Sequence, residues 1–203
     1  MLETLYSPDA IQPGTNSPGV PKPGLVRDAR TRGLVTALEA RVPGAAAHGR
    51  RVAERSRVIG NRLGMAGLEL ERLDRAARVH DVGKIIISPE ILEKPGALNR
   101  CEYEEIQRHS VFGARLVDAL GDPALTAIVR HHHERLDGSG YPDRLYGAQI
   151  PLGARIIAVA DTFDALTSRR PYREASTVEV ANGIILEESG STFDPQVVAA
   201  FLA

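Results

Sequence analysis

Apolar residues recur at three- and four-residue steps along most of the chain after residue 24, and in several of these stripes a histidine or aspartate stands where the period calls for a hydrophobic side chain. Leu70, Leu73, Ala77 and His80 follow one such face. Ile106, His109, Gly113, Leu116 and Leu120 give a second, and Leu125, Ile128, Val129, His132 and His133 a third. Ile157, Asp161 and Ala165 bring a carboxylate inward on a fourth, and His48, at helical spacing from Val52, extends the pattern. A single histidine on an apolar face is most often a satisfied core residue. Several helices turning such groups toward one interior would leave them without partners, at ~1–3 kcal/mol apiece. A bound metal removes that cost by making them ligands.

The periodicity predicts an all-α fold, a compact bundle of seven to eight helices with a metal centre in its core. The helices are expected near 25–42, 45–63, 68–80, 100–120, 123–133, 151–168, 177–189 and 195–202. Asn99 with Glu102 and Ser176 with Glu179 stand at capping-box spacing, Asp122-Pro123 and Asp194-Pro195 pair a cap with proline at the first helical position, and Gly64 and Gly190 mark helix ends. Ile85-Ile86-Ile87 is the only run that resembles a strand, and it is too short for a sheet. Residues 1–24, rich in proline and glycine, read as a flexible N-terminal segment or linker before a domain over 25–203.

Composition narrows the function. With 203 residues, 43% hydrophobic, one core buries enough apolar surface to need no structural metal, which leaves any metal free to be catalytic. Cys101 is the only cysteine, so no intramolecular disulfide forms and the cytoplasm is the expected location. No apolar run approaches the ~20 residues that cross a bilayer, so no membrane is expected. A net charge of -1 argues against polymeric nucleic acid as a partner.

Imidazole and carboxylate without cysteine suit divalent iron, manganese, nickel or zinc. Seven candidates, His48, His80, Asp81, His109, His132, His133 and Asp161, exceed one site. Two ions ~3.5–4 Å apart, bridged by Asp81 and a hydroxide, fit the count and the logic of phosphoester hydrolysis. Lys84, three residues past Asp81 and one of three lysines, is placed to add a point charge; read alone, it equally fits a solvated helix end.

His80-Asp81-Val82-Gly83-Lys84 resembles the HD motif of the metal-dependent phosphohydrolases, and the run from His132-His133-Glu134 through Gly138-Ser139-Gly140-Tyr141-Pro142 resembles the HHE and GYP segment of the HD-GYP branch. Asp161–Ser168, Arg170-Pro171-Tyr172-Arg173 and the late Gly190, Phe193-Asp194-Pro195 also follow that family's pattern, from about residue 43 onward. The resemblance implies an HD-type bundle and a phosphodiesterase that hydrolyses cyclic di-GMP to pGpG and then GMP with a metal-activated hydroxide. It implies the seven metal ligands above, with Asp81 and Lys84 at the reacting phosphate, and Lys84, Gly140, Tyr141, Arg170 and Arg173 around the substrate. Gly44, four residues before His48, stands where some members carry a glutamate for a third ion, which favours two. Leu136 replaces a common aromatic. His131 faces away from the two histidines after it, and Glu134 and Asp137 are candidates to pin the loop or orient imidazoles.

Two rival readings stand beside this one. The same centre could act on another cyclic dinucleotide or a nucleotide monophosphate ester. A third reading, from a different class, is a module that binds the messenger or a protein. Diguanylate cyclase (GGDEF) domains and a second copy of the chain are the candidate protein partners. The first 24 residues are too few for a sensor domain, so regulatory input is expected from another or a longer parent chain.

Overall fold

The stripes are realised as helices in the computed structural model, which describes residues 23–169 and 174–203. In chain order they are α1 (Pro23–Arg41), α2 (Ala45–Arg62), α3 (Gly67–Val79), α4 (Pro89–Leu92), α5 (Arg100–Gln107), α6 (His109–Asp118), α7 (Pro123–His131), α8 (Leu152–Thr167), α9 (Val178–Glu187) and α10 (Pro195–Leu202). Two 3-10 turns, Val82–Ile86 and Gly147–Gln149, complete the set. Among the described residues the fold is all-α, with a lone β-bridge between Ser189 and Phe193. No described helix is long and apolar enough to cross a membrane. Of the expected linker 1–24, residues 1–22 lie outside the described residues and Pro23 and Gly24 already open α1.

The local signals explain the helix starts. Asn99 accepts from the Glu102 amide at 3.0 Å while Glu102 accepts from the Asn99 amide at 2.8 Å, closing the capping box of α5. Asp122 and Asp194 cap α7 and α10 through the amides of Leu125 and Gln196. Thr177, not Ser176, caps α9 through the Val180 amide at 3.3 Å. The Ser176 amide is spent on Leu166 O, which ties that residue to the end of α8 and starts α9 one position later. Ile85 and Ile86 belong to a 3-10 turn, not a strand.

The core forms where α2 packs along α3 and α8, and α7 against α3 and α6. Val52, Leu73, Ala77, Leu125, Val129, Ile156, Ile157 and Ala160 are fully buried there. α8 passes through the middle, which is why it is apolar on nearly every face.

The helix expected over 100–120 is interrupted at Arg108, giving α5 and α6. The interruption falls where the 3-10 turn after His80-Asp81 presses on the next helix. A Cβ built on Gly83 would lie 1.9 Å from the His109 carbonyl oxygen and 2.5 Å from the Gly113 amide nitrogen. Only glycine permits that approach, and it brings Asp81 beside His109. Gly83→Ala is therefore expected to force the two backbones apart and destabilise the fold by ~1–3 kcal/mol in urea melts. Gly113→Ala, whose Cβ would meet its nearest neighbours at 3.3 Å, should be milder, and equal midpoints for the two variants would refute this account.

Candidate metal centre

Three of the site histidines sit just past helix ends, where carbonyl groups lack intrahelical donors. His80 follows α3, His109 follows α5 by two residues, and His132 follows α7. Each returns its Nδ1 to the carbonyl three residues earlier: His80 to Ala77 O at 2.8 Å, His109 to Ile106 O at 2.6 Å, His132 to Val129 O at 2.7 Å. A carbonyl oxygen only accepts, so each Nδ1 must donate, and each ring turns its Nε2, the lone-pair nitrogen of that tautomer, inward.

Those lone pairs converge. His109 Nε2 and His132 Nε2 face one another at 3.3 Å, and His80 Nε2 is buried with no hydrogen-bond partner. Two acceptors at that distance repel unless a cation lies between them, and a buried unpartnered nitrogen is costly. Asp81, largely buried, stands in the middle. Its Oδ1 is 3.4 Å from His109 Nε2, whereas its Oδ2 is 3.6 Å from His80 Nε2 and 3.9 Å from His48 Nε2. His48 Nε2 lies 3.2 Å from Asp161 Oδ1. The donor atoms fall into two groups able to hold a divalent ion, Asp81 with His109, His132 and His133, and His48 with His80 and Asp161. All seven residues expected from the sequence are thus gathered, and the chemistry of the set fits a borderline divalent metal.

Electrostatics divides the ligand atoms into ready and occupied. Burial pushes His109 and His132 below the ordinary imidazole range, and drives His133 to about 3, so these rings are neutral at pH 7. Asp81 and Asp161 stay ionised: burial alone would raise them, but Lys84 and the surrounding imidazoles outweigh it for Asp81, and the His48 hydrogen bond brings Asp161 to about 2. His48 behaves oppositely. Burial would lower it, yet hydrogen bonds to Asp161 and Asp164 raise it to about 9.

Asp164 is the functional residue that sequence reasoning passed over. Its Oδ2 lies 2.7 Å from His48 Nδ1, and its carboxylate also takes a fork from Arg51 at 2.6 and 2.8 Å. This is the carboxylate–histidine arrangement that orients a ligand imidazole. Its signal was the three-residue step from Asp161 along α8. Glu134 is buried and accepts from the Asp143 and Leu145 amides, so it pins the loop as one of its two expected roles. His131 turns outward to Asp143 at 2.8 Å, as expected. Asp137 is a local turn residue that accepts from the Ser139 amide.

Lys84 Nζ reaches Asp81 Oδ2 at 2.5 Å, which places it in the site and not in solvent. Tyr141 stacks on His133 with ring centroids 4.9 Å apart. Gly140 packs on the chain just after His133, where a Cβ would lie 2.4 Å from the Arg135 amide nitrogen. Arg170 and Arg173 lie outside the described residues. Beside the cluster a cleft of about 420 Å³ is lined by His132, His133, Asp161, Arg135 and Thr162, the size of a small-ligand site.

This arrangement is that of a helical bundle with a site able to hold divalent metal, and comparison with known proteins gives its family. The chain belongs to the HD domain family, whose model matches residues 34–197, and the resemblance to the HD-GYP branch holds. It is 41% identical to the cyclic di-GMP phosphodiesterase response regulator RpfG of Xanthomonas campestris, over 83% of this chain and 46% of that protein. It is 36% identical to 3'3'-cGAMP-specific phosphodiesterase 3 of Vibrio cholerae, over 98% of this chain and 44% of that protein. The chain thus spans less than half the length of these relatives. A crystal structure of the cyclic GMP-AMP specific phosphodiesterase V-cGAP3 of V. cholerae shares the fold, with TM-score 0.66 and 23% identity over 87% of this chain and 47% of that one.

The two carboxylates on His48 generate a titration that can be read directly. In chelator-treated protein, ring-proton NMR is expected to show one imidazole protonated up to about pH 9 and another neutral down to about pH 3. A raised base pKa means the proton is held by its acceptors. Asp164→Asn should therefore move the high transition down by roughly one unit or more. No transition above pH 8 in the parent would contradict the geometry.

Proposed function

We propose that the chain is a phosphodiesterase of cyclic dinucleotides, cyclic di-GMP first, working through two divalent ions. The observation that carries this is Asp81, whose two oxygens face two separate groups of inward ligand atoms, one of which contains opposed lone pairs at 3.3 Å. One ion would be held by Asp81, His109, His132 and His133, the other by His48, His80, Asp161 and Asp81. Iron, manganese, nickel and zinc all suit this donor set. When bound, such ions supply Lewis acidity that neutralises the phosphate and lowers the pKa of water.

The chain's own groups divide the remaining work. Asp81, ionised and central, fixes the spacing of the two groups and so the place of the scissile phosphate. Lys84, at its edge, supplies positive charge where negative charge grows on the phosphate in the transition state. The buried Asp164 and the three helix-end carbonyls hold the imidazoles in orientation. Tyr141 and Gly140 shape the mouth of the site. Arg170 and Arg173, by family resemblance, meet the phosphates or bases of the substrate. Hydrolysis of one diester yields linear pGpG, and of the second, GMP.

The names of relatives support the substrate class: cyclic di-GMP for one, 3'3'-cGAMP for another, and cyclic-di-AMP in complex with an HD domain of Listeria monocytogenes. Family resemblance likewise supports a cytoplasmic domain over residues 25–203 that meets diguanylate cyclase domains or a second copy of itself.

Metal analysis and turnover test the proposal together. Purified protein should carry two ions per chain and hydrolyse cyclic di-GMP. Asp81→Ala should lose both ions, His133→Ala one, and both variants should fall in kcat/KM by about a thousandfold or more, several kcal/mol of transition-state charge stabilisation. Unchanged turnover in Asp81→Ala would sink it. Lys84→Ala should keep its metal and lose about a hundredfold in kcat, the effect of removing one charge-stabilising group.

A further inference from the structure

Beyond the metal residues, Arg144 is the non-glycine residue with positive φ, 53°, among the described residues. That conformation is unfavourable for any side chain with a Cβ and free for glycine. Its neighbours impose it. Glu134, buried and directly after His132-His133, accepts from the Asp143 amide at 2.7 Å and the Leu145 amide at 3.1 Å. The Asp143 carboxylate is in turn gripped by Arg130 at 2.7 and 2.8 Å and by His131 at 2.8 Å. Arg144 is thus the apex of a turn clamped on both sides by one buried carboxylate, and that carboxylate belongs to the segment carrying two metal-site histidines.

The apex side chain is exposed and has no acidic partner among the described residues. It lines a pocket of about 430 Å³ with Glu104, Gln107, Arg108, Ser139 and Tyr141, and Glu104 is itself paired with Arg100 at 2.9 Å. Arg108, the other cation there, is committed to Glu105 at 2.8 Å. Tyr141 joins this pocket to the metal centre, because it stacks on His133. A residue whose strained backbone is clamped, whose side chain is uncommitted, and which lies one aromatic ring away from the metal centre is placed for a ligand.

We propose that Arg144 is a specificity-determining residue that receives the half of the cyclic dinucleotide not being cleaved. Its planar guanidinium would engage a paired acceptor, either two phosphate oxygens or O6 and N7 of guanine. This rests on the cyclic-dinucleotide reading above. With the scissile phosphate at Asp81 and His133, the second nucleotide would extend past Tyr141 into this pocket, and the clamp fixes the backbone from which the Arg144 side chain projects.

Steady-state kinetics of the metal-loaded full chain on cyclic di-GMP and cyclic di-AMP, with Arg144→Gly and Arg144→Lys, tests this. Glycine relieves the positive φ, so Arg144→Gly should melt at or above the parent temperature while its KM for cyclic di-GMP rises about tenfold or more and kcat stays within about twofold. A KM rise confined to cyclic di-GMP and not rescued by lysine identifies guanine. A rise shared with cyclic di-AMP and partly rescued by lysine identifies phosphate. Unchanged KM for both substrates in Arg144→Gly overturns the proposal and leaves the phosphodiesterase reading intact. A parent chain that hydrolyses neither dinucleotide sinks that reading and this proposal with it.

Discussion

The hydrogen bond from a histidine Nδ1 to a carbonyl three residues back, made at three helix ends, is what the centre depends on. It satisfies a carbonyl the helix leaves open, and it decides which nitrogen of each ring is bare. The inward lone pairs of His80, His109 and His132 follow from it without further design. Burial then keeps His109 and His132 from resolving the repulsion between them by protonation, because the charged imidazolium would be poorly solvated there. What remains is a set of donors with nothing to donate to except a cation.

Around that set the molecule divides support between two layers. His48 is oriented by a carboxylate, Asp164, which Arg51 holds from the far side. That pairing, with Asp161 on the other ring nitrogen, keeps His48 protonated at neutral pH, so an ion on the His48 side must displace a proton. The other layer is backbone. Gly83 lets the turn after Asp81 touch the carbonyl of His109, and Gly140 lets the loop lie on the chain after His133. The first brings Asp81 and His109, from separate stretches of sequence, into one coordination volume, and the second folds the loop back on the segment that carries His133.

Glu134 shows how the two layers meet. It follows the paired histidines directly, yet its carboxylate is spent on two amides of the loop that borders the site. The loop therefore takes its shape from the same segment that supplies metal donors, and Arg144 takes its backbone conformation from the loop.

The bundle was legible in the sequence because helix periodicity and end signals are local: Asn99 with Glu102, and Asp122 and Asp194 before proline, act within one turn. Six of the seven site residues were legible because polar groups in an apolar stripe are conspicuous, and Asp81 because it directly follows His80 in the HD motif. Asp164 was not singled out, because its role exists only when α8 lies beside α2 and His48 is within reach. Nor was the break at Arg108, which coincides with a backbone approach from Gly83. Residue type and spacing by themselves determined that imidazoles and carboxylates would face one interior. Only the tertiary structure decided that they form two groups sharing Asp81, which ring nitrogens are bare, and that Arg144 is held in a conformation glycine would prefer, because distances between separate helices and loops are set by packing that no local pattern encodes.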